Sequence, residues 1–175
     1  MILRNVRDTK LVLTIISLVV ISGTTIMTTQ VLGIKFATTM SGDQVTPPTN
    51  TSINGNASFR TTTYDTVIKY KIKIAGSSDV TGADIHMGKK GENGEAIVDL
   101  LKDSKKNGIK METSIRGNIT SSDLKGPLKG KLIAELISAM SNGNTYVSID
   151  TPYHENGEIR GQIDQLRKVN STKLK

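Results

Sequence analysis

The clearest pattern in the chain is an alternation of apolar and basic residues between positions 66 and 74. Successive side chains of a strand point to opposite faces, so the pattern predicts a strand with one buried face. The apolar positions are Ile68, Tyr70, Ile72 and Ile74, and the basic positions are Lys69, Lys71 and Lys73. The lysines are either a ligand-binding stripe or, as we favour here, a solvated face or the protection of a sheet edge.

Shorter segments of similar character recur along the chain and predict further strands. Residues 37–56, interrupted by Pro47-Pro48, predict an edge strand, a turn and a second strand. The other predicted strands span residues 83–87, 96–101, 110–119, 146–151 and 158–165, the last two forming a hairpin around a turn at 152–157. Short strands at this spacing indicate a β-sandwich or barrel.

One segment departs from the strand pattern and predicts a helix. Apolar residues recur there at helical spacing, which predicts a stripe that packs on the core. The stripe comprises Leu132, Ile133, Leu136, Ile137 and Met140. Gly143 follows and can end the helix in a left-handed conformation.

The first 33 residues predict a targeting segment. Arg4, Arg7 and Lys10 precede residues 11–34, which carry no charge. This arrangement is typical of a cleaved signal peptide, which we favour, or of an uncleaved membrane anchor; a buried soluble helix is a third interpretation. The first two place the domain at residues 34–166 outside the cytoplasm, secreted or at the cell surface.

The formal net charge of +7 is carried by the ends of the chain. Residues 34–166 contain 16 basic and 15 acidic residues, and residues 167–175 form a basic tail that we expect to be disordered. Six aromatic residues are too few for a base-stacking surface, so no nucleic-acid partner is expected. With no cysteine, disulfides and thiolate metal sites are excluded.

Several motifs together resemble the chordin-type (CHRD) domain. They are Ala83-Asp84-Ile85-His86-Met87-Gly88, Gly126-Pro127, Tyr146-Val147 through Asp150-Thr151, and Gly157-Glu158-Ile159-Arg160-Gly161-Gln162, with an opening segment around Ser41-Gly42 and Gly55. The resemblance covers residues 37–166. It implies an extracellular, all-β, immunoglobulin-like or superoxide-dismutase-like antiparallel sandwich, here with one short helix.

The resemblance also implies a metal hypothesis. Family members generally carry His-x-His in the first motif and a further His before the Thr of the Tyr-Val strand, whereas this chain has Asp84, His86 and Asp150 there. These three residues are the candidate metal ligands, with Glu158 or His154 as possible additions. Oxygen-rich ligation would favour Ca²⁺, Mn²⁺ or Zn²⁺ over Cu²⁺. The simpler interpretation, which we favour, is a structural polar cluster in which Glu158 and Arg160 take part and Arg160 pairs with a carboxylate.

No recognisable catalytic constellation accompanies these residues. Two histidines are too few for copper-dependent superoxide dismutation, and Glu155 with Glu158 is a weak acid-base pair. We therefore expect a non-enzymatic extracellular or cell-surface binding module without a cofactor; the alternative is a divalent-metal module. Its expected partner is an unidentified extracellular protein or envelope component, with membrane contact only through residues 11–34 if they are uncleaved. Candidate glycosylation sites are Asn50, Asn56, Asn118 and Asn170.

Overall fold

The computed structural model describes residues 33–62, 64–76, 79–102 and 114–166. The predicted targeting segment up to residue 32, the predicted tail at 167–175, Asn170 and the predicted strand residues 110–113 lie outside the described residues. Within the described ranges, no helix has the length and apolar character needed to cross a membrane.

The described residues form nine strands, three short 3-10 helices and one α-helix, joined by turns and loops. The strands are β1 (Lys35–Ser41), β2 (Asn54–Thr61), β3 (Ile68–Ala75), β4 (Gly82–Met87), β5 (Ala96–Asp99), β6 (Ser114–Ile119), β7 (Thr145–Thr151), β8 (His154–Gln162) and β9 (Asp164–Gln165). The α-helix, α1, spans Ile133–Ser141, and the 3-10 helices span Gly42–Gln44, Ser121–Asp123 and Gly126–Leu128.

The strands are hydrogen-bonded in the order β5-β4-β7-β8-β1-β2-β3-β6, with β9 paired to β1. Every pair is antiparallel, so the predicted all-β antiparallel fold with one short helix is confirmed. The edge position predicted for the first strand is wrong, because β1 lies between β8 and β2. Edge protection by the lysines of β3 is also wrong, because β3 is paired on both sides, with β2 and β6.

The apolar faces of the strands form one core. Ile68, Tyr70, Ile72 and Ile74 are buried as the alternation predicts, and both phenylalanines of the chain, Phe36 and Phe59, lie directly opposite each other in β1 and β2. The Tyr70 hydroxyl donates a 2.7 Å hydrogen bond to the Leu100 carbonyl just after β5. Since β3 and β5 lie near opposite ends of the strand order, this bond shows that the sheet curls back on itself.

The helix and the closing hairpin complete the domain. Ile133, Leu136, Ile137 and Met140 are buried, whereas Leu132 is 72% exposed because it has an extended backbone and precedes the first turn of α1 instead of belonging to its buried stripe. Gly143 has a φ of +67°, as expected for a residue that ends a helix.

The hairpin turn is shorter than predicted. Thr151 pairs with His154, so only Pro152 and Tyr153 form the turn, and residues 154–157 belong to β8. An irregularity in the pairing between Ile149 and Thr151 accommodates this tight connection. The polar, Gly-containing part of the predicted turn, residues 154–157, is therefore strand.

Candidate functional site

The residues singled out by sequence lie on the outer face of β4, β7 and β8. Along this face Asp84 is opposite Ser148, and Ser148 is opposite Arg160. In the adjacent rows His86 is opposite Tyr146, and Gly82 is opposite Asp150. Antiparallel pairing thus brings Asp84, His86 and Asp150 to one face of two neighbouring strands.

Tyr146 is the centre of this face. The His86 ring is stacked on the Tyr146 ring with centroids 5.1 Å apart and an interplanar angle of 14°. The guanidinium carbon of Arg160 lies 3.5 Å from the centroid of the same ring, in the geometry of a cation–π contact. Tyr146 is buried although it points away from the core, because these neighbours and the loop at residues 88–94 cover it.

Arg160 fastens that loop to the sheet. Its guanidinium donates hydrogen bonds to the carbonyl oxygens of Lys89 (2.9 Å) and Glu92 (2.8 Å) and to Oδ1 of Asn93 (3.2 Å). Arg160 is only 3% exposed, and this burial lowers its pKa, an effect that Tyr146 and Glu92 oppose. The carboxylate pair expected for Arg160 does not form among the described residues, because the loop carbonyls take up its donors.

The neighbouring residues of the same motif also hold chain segments together. The Gln162 amide donates to the carbonyl oxygens of Gly88 (3.1 Å), Gly143 (2.8 Å) and Thr145 (2.9 Å). A side chain at Gly161 would overlap the backbone of Thr39, because β8 passes unusually close to β1 there. Sequence reasoning missed these roles, since their partners are main-chain atoms far away along the chain.

Glu158, the other residue of the predicted polar cluster, has different partners from Arg160. Its carboxylate accepts a 2.8 Å hydrogen bond from the Thr151 hydroxyl, and Nε2 of His154 lies 3.7 Å from the same oxygen. Glu158 is 3% exposed, so this bond satisfies a carboxylate that is nearly removed from solvent. Glu158 and Arg160 therefore stabilise two different connections of β8.

Each of the three candidate metal ligands has a protein partner. Asp84 forms a 2.8 Å salt bridge with Lys125, a residue that sequence reasoning also missed. The Nδ1 of His86 lies 2.9 Å from the Gly94 carbonyl, and Asp150 accepts a 3.2 Å hydrogen bond from Ser148. In the part of the chain that the structure describes, no group of three or more His, Asp or Glu side chains is arranged to hold a metal ion.

Asp150 is nevertheless electrostatically unusual. Burial raises the pKa of its carboxyl group, and the negative charge of Asp84 raises it further, whereas the Ser148 hydrogen bond and His86 lower it. The ionised form of Asp150 is therefore less stable in the folded protein than in the unfolded chain.

Three of the four candidate glycosylation sites are accessible. Asn50, Asn56 and Asn118 are exposed, in a loop, in β2 and in β6 respectively, while Asn170 lies outside the described residues. Their use as glycan sites stays a prediction.

We expect Arg160→Lys to lower the free energy of unfolding by about 2 kcal/mol, because a lysine cannot donate to three acceptors with the planar geometry of a guanidinium. Urea unfolding followed by circular dichroism measures the change. The control is Arg60→Lys on the exposed face of β2, for which a change within about 0.5 kcal/mol is expected. Equal effects in the two variants would contradict a role for Arg160 in fastening the loop.

We expect Asp150→Asn to raise the melting temperature at pH 7. Because the folded-state pKa of Asp150 is raised, the folded protein binds more protons than the unfolded chain above the ordinary value of 3.8, and stability falls as pH rises through that window. The gain from the substitution should therefore shrink as the pH is lowered towards 4. Asp164→Asn, on exposed β9, is the control and should leave the melting temperature unchanged. A lower melting temperature for Asp150→Asn at pH 7 would contradict the prediction.

Comparison with known proteins identifies the family. A search of curated proteins finds no match to the chain. The family model described as the CHRD domain matches residues 36–163, which is most of the chain and includes the whole polar face of β4, β7 and β8. The glycines and polar residues of the last motif, which fasten β8 to its neighbours, fall inside this match. The chain therefore belongs to the CHRD domain family.

Proposed function

We propose that the protein is an exported, non-catalytic binding module that acts outside the cytoplasm, either secreted or at the cell surface. The main support for the proposal is that the polar residues of the last motif make their contacts within the domain. Arg160, Gln162 and Glu158 all contact other parts of the same chain, so the most distinctive motif stabilises the fold. Family membership and the basic N-terminus followed by an uncharged apolar segment give further support.

A binding role is supported by what the fold leaves exposed. Arg160 and Gln162 are bound to the loop at residues 88–94, whereas the outer face of β2 and β3 is open and lined by polar and basic residues. A domain that uses one face of its sheet for internal contacts can bind a partner through another face. The partner we propose is an extracellular protein or a component of the cell envelope.

A divalent-metal module is the second candidate. In its favour, Asp84, His86 and Asp150 share one face, and Asp84 and His86 are close enough to Asp150 to act on the pKa of its carboxyl group. The Asp150→Asn variant separates the two candidates when its melting is repeated with a chelator and with added Ca²⁺, Mn²⁺ or Zn²⁺. A metal module requires that chelation destabilises the parent protein, that added metal restores it, and that the variant responds to neither.

We expect the full-length protein to be found outside the cytoplasm of intact cells of its source. The measurement is digestion by externally added protease together with immunodetection in the medium, with a cytosolic protein as the protected control. Mass spectrometry of the N-terminus of the recovered protein distinguishes a cleaved signal from an anchor. Full protection alongside the cytosolic control, with none in the medium, would overturn the proposed export.

A further inference from the structure

The outer face of the four strands β1, β2, β3 and β6 carries an unbroken group of positive charges. We call this group the basic face, and it comprises Lys35, Arg60, Lys69, Lys71, Lys73 and Arg116. In the register of the sheet, Lys35 is opposite Arg60 and Arg60 is opposite Lys69. Lys71 is opposite Arg116 in the next row.

Like charges directly opposite each other across strands destabilise a sheet. The proximity of Arg116, followed by that of Lys73 and by slight desolvation, lowers the pKa of the Lys71 ammonium group. A soluble surface usually intersperses the two signs of charge and so avoids this repulsion. Here none of the residues of β1, β2, β3 and β6 is Asp or Glu.

Most of the acidic residues in the strands lie elsewhere in the sheet, the exception being Asp164 of β9, which pairs with Ala37 of β1. Asp84, Asp99, Asp150 and Glu158 belong to β4, β5, β7 and β8, the other half of the strand order. The domain is thus nearly neutral in total, but its strands carry mainly acidic residues in one half of the strand order and mainly basic residues in the other. Asp84 forms its salt bridge with Lys125, and Glu158 accepts its hydrogen bond from Thr151, so neither carboxylate is paired with a cation of the basic face.

A shallow groove of about 440 Å³ runs beside the lysines. Its floor includes the small residues Ala37, Thr39 and Ser58, and Lys71 and Lys73 form one side. Asp164 and Leu166 of the final segment form the other side. The small floor residues leave room for an extended chain to lie against the ammonium groups, on the side of the groove away from Asp164, the one acidic residue among those that line it.

The geometry points to a linear polyanion as the ligand of the basic face, and we propose a polymer of phosphodiester or phosphate groups without nucleobases. This inference deepens the proposed binding function and rests on it. Neighbouring strands are about 4.8 Å apart, and alternate residues of one strand are about 6.7 Å apart. Both spacings suit an extended chain with one negative charge per repeat, which would relieve the repulsion among the cations.

Nucleobases are excluded from the proposal by the placement of the aromatic rings. Single-stranded nucleic acids are bound through bases stacked on exposed aromatic side chains. The aromatic residues of these four strands, Phe36, Phe59 and Tyr70, are all buried in the core on the opposite side of the sheet. The four strands therefore offer charge and hydrogen bonds without an exposed aromatic ring, and the exposed Tyr64 lies outside them, in the turn between β2 and β3.

The test is fluorescence anisotropy of the full-length protein with a labelled inorganic polyphosphate of defined length, at several NaCl concentrations. We expect binding with a slope of log K against log salt of roughly −4, if each of six cations contributes about 0.7. Lys71→Gln combined with Arg116→Gln should weaken binding by about 30-fold. Lys129→Gln combined with Lys131→Gln removes the same charge from exposed positions outside the four strands and should weaken it by less than about 3-fold.

Several outcomes would overturn the inference. They are absent polyphosphate binding at low salt, equal losses in the two double variants, and competition by orthophosphate at equal phosphate concentration. A tighter affinity for single-stranded DNA of matched charge would identify a nucleic-acid surface instead. Binding that is lost on removal of residues 167–175 but unaffected by the Lys71 and Arg116 changes would assign the ligand to the tail. The export measurement is independent, so failure of polyanion binding leaves the proposed location and general binding role standing.

Discussion

The close approach of β8 to β1 is the constraint on which the rest of the fold depends. It joins one group of four strands, β5-β4-β7-β8, to the other, β1-β2-β3-β6, and Ser41 and Arg160 form the single residue pair in register there. Gly161 permits the approach because any side chain would meet the backbone of Thr39. On the outer side of the same strand, Arg160 fastens the loop at residues 88–94. One short motif thus sets both the packing of two strand groups and the position of a loop.

Local patterns predicted the elements whose stability depends on local burial. The alternation at Ile68, Tyr70 and Ile72 predicted β3, and helical spacing predicted α1, because one apolar face is visible in a single segment. The position of β1 and the partners of Arg160 were not predictable in this way. They depend on which distant strands pair and on main-chain carbonyls, which every residue carries and no sequence pattern marks.

The candidate site was predicted as a set of residues but not as a set of bonds. Asp84, His86 and Asp150 do share a face, as the two-residue period of a strand requires. Two of their partners, Lys125 and the Gly94 carbonyl, lie outside the strand of the residue they bind, whereas Ser148 lies on the same strand as Asp150. Likewise, a charge balance near zero over residues 34–166 concealed a segregation of charge that appears only when the strands are put in order.

The bonds that Arg160 makes to Lys89 and Glu92 have an evolutionary consequence. Both end on main-chain oxygens, so these two bonds do not depend on the side chains at positions 89 and 92, whereas the third bond of Arg160 requires the amide oxygen of Asn93. What must persist is the backbone path, which Gly88 and Gly94 make possible because a Cβ at either would collide with neighbouring backbone. Variation in this loop is therefore tolerated where it leaves the side chains of Glu92 and Asn93 in place, and an engineer who grafts a peptide at its tip would keep these two residues.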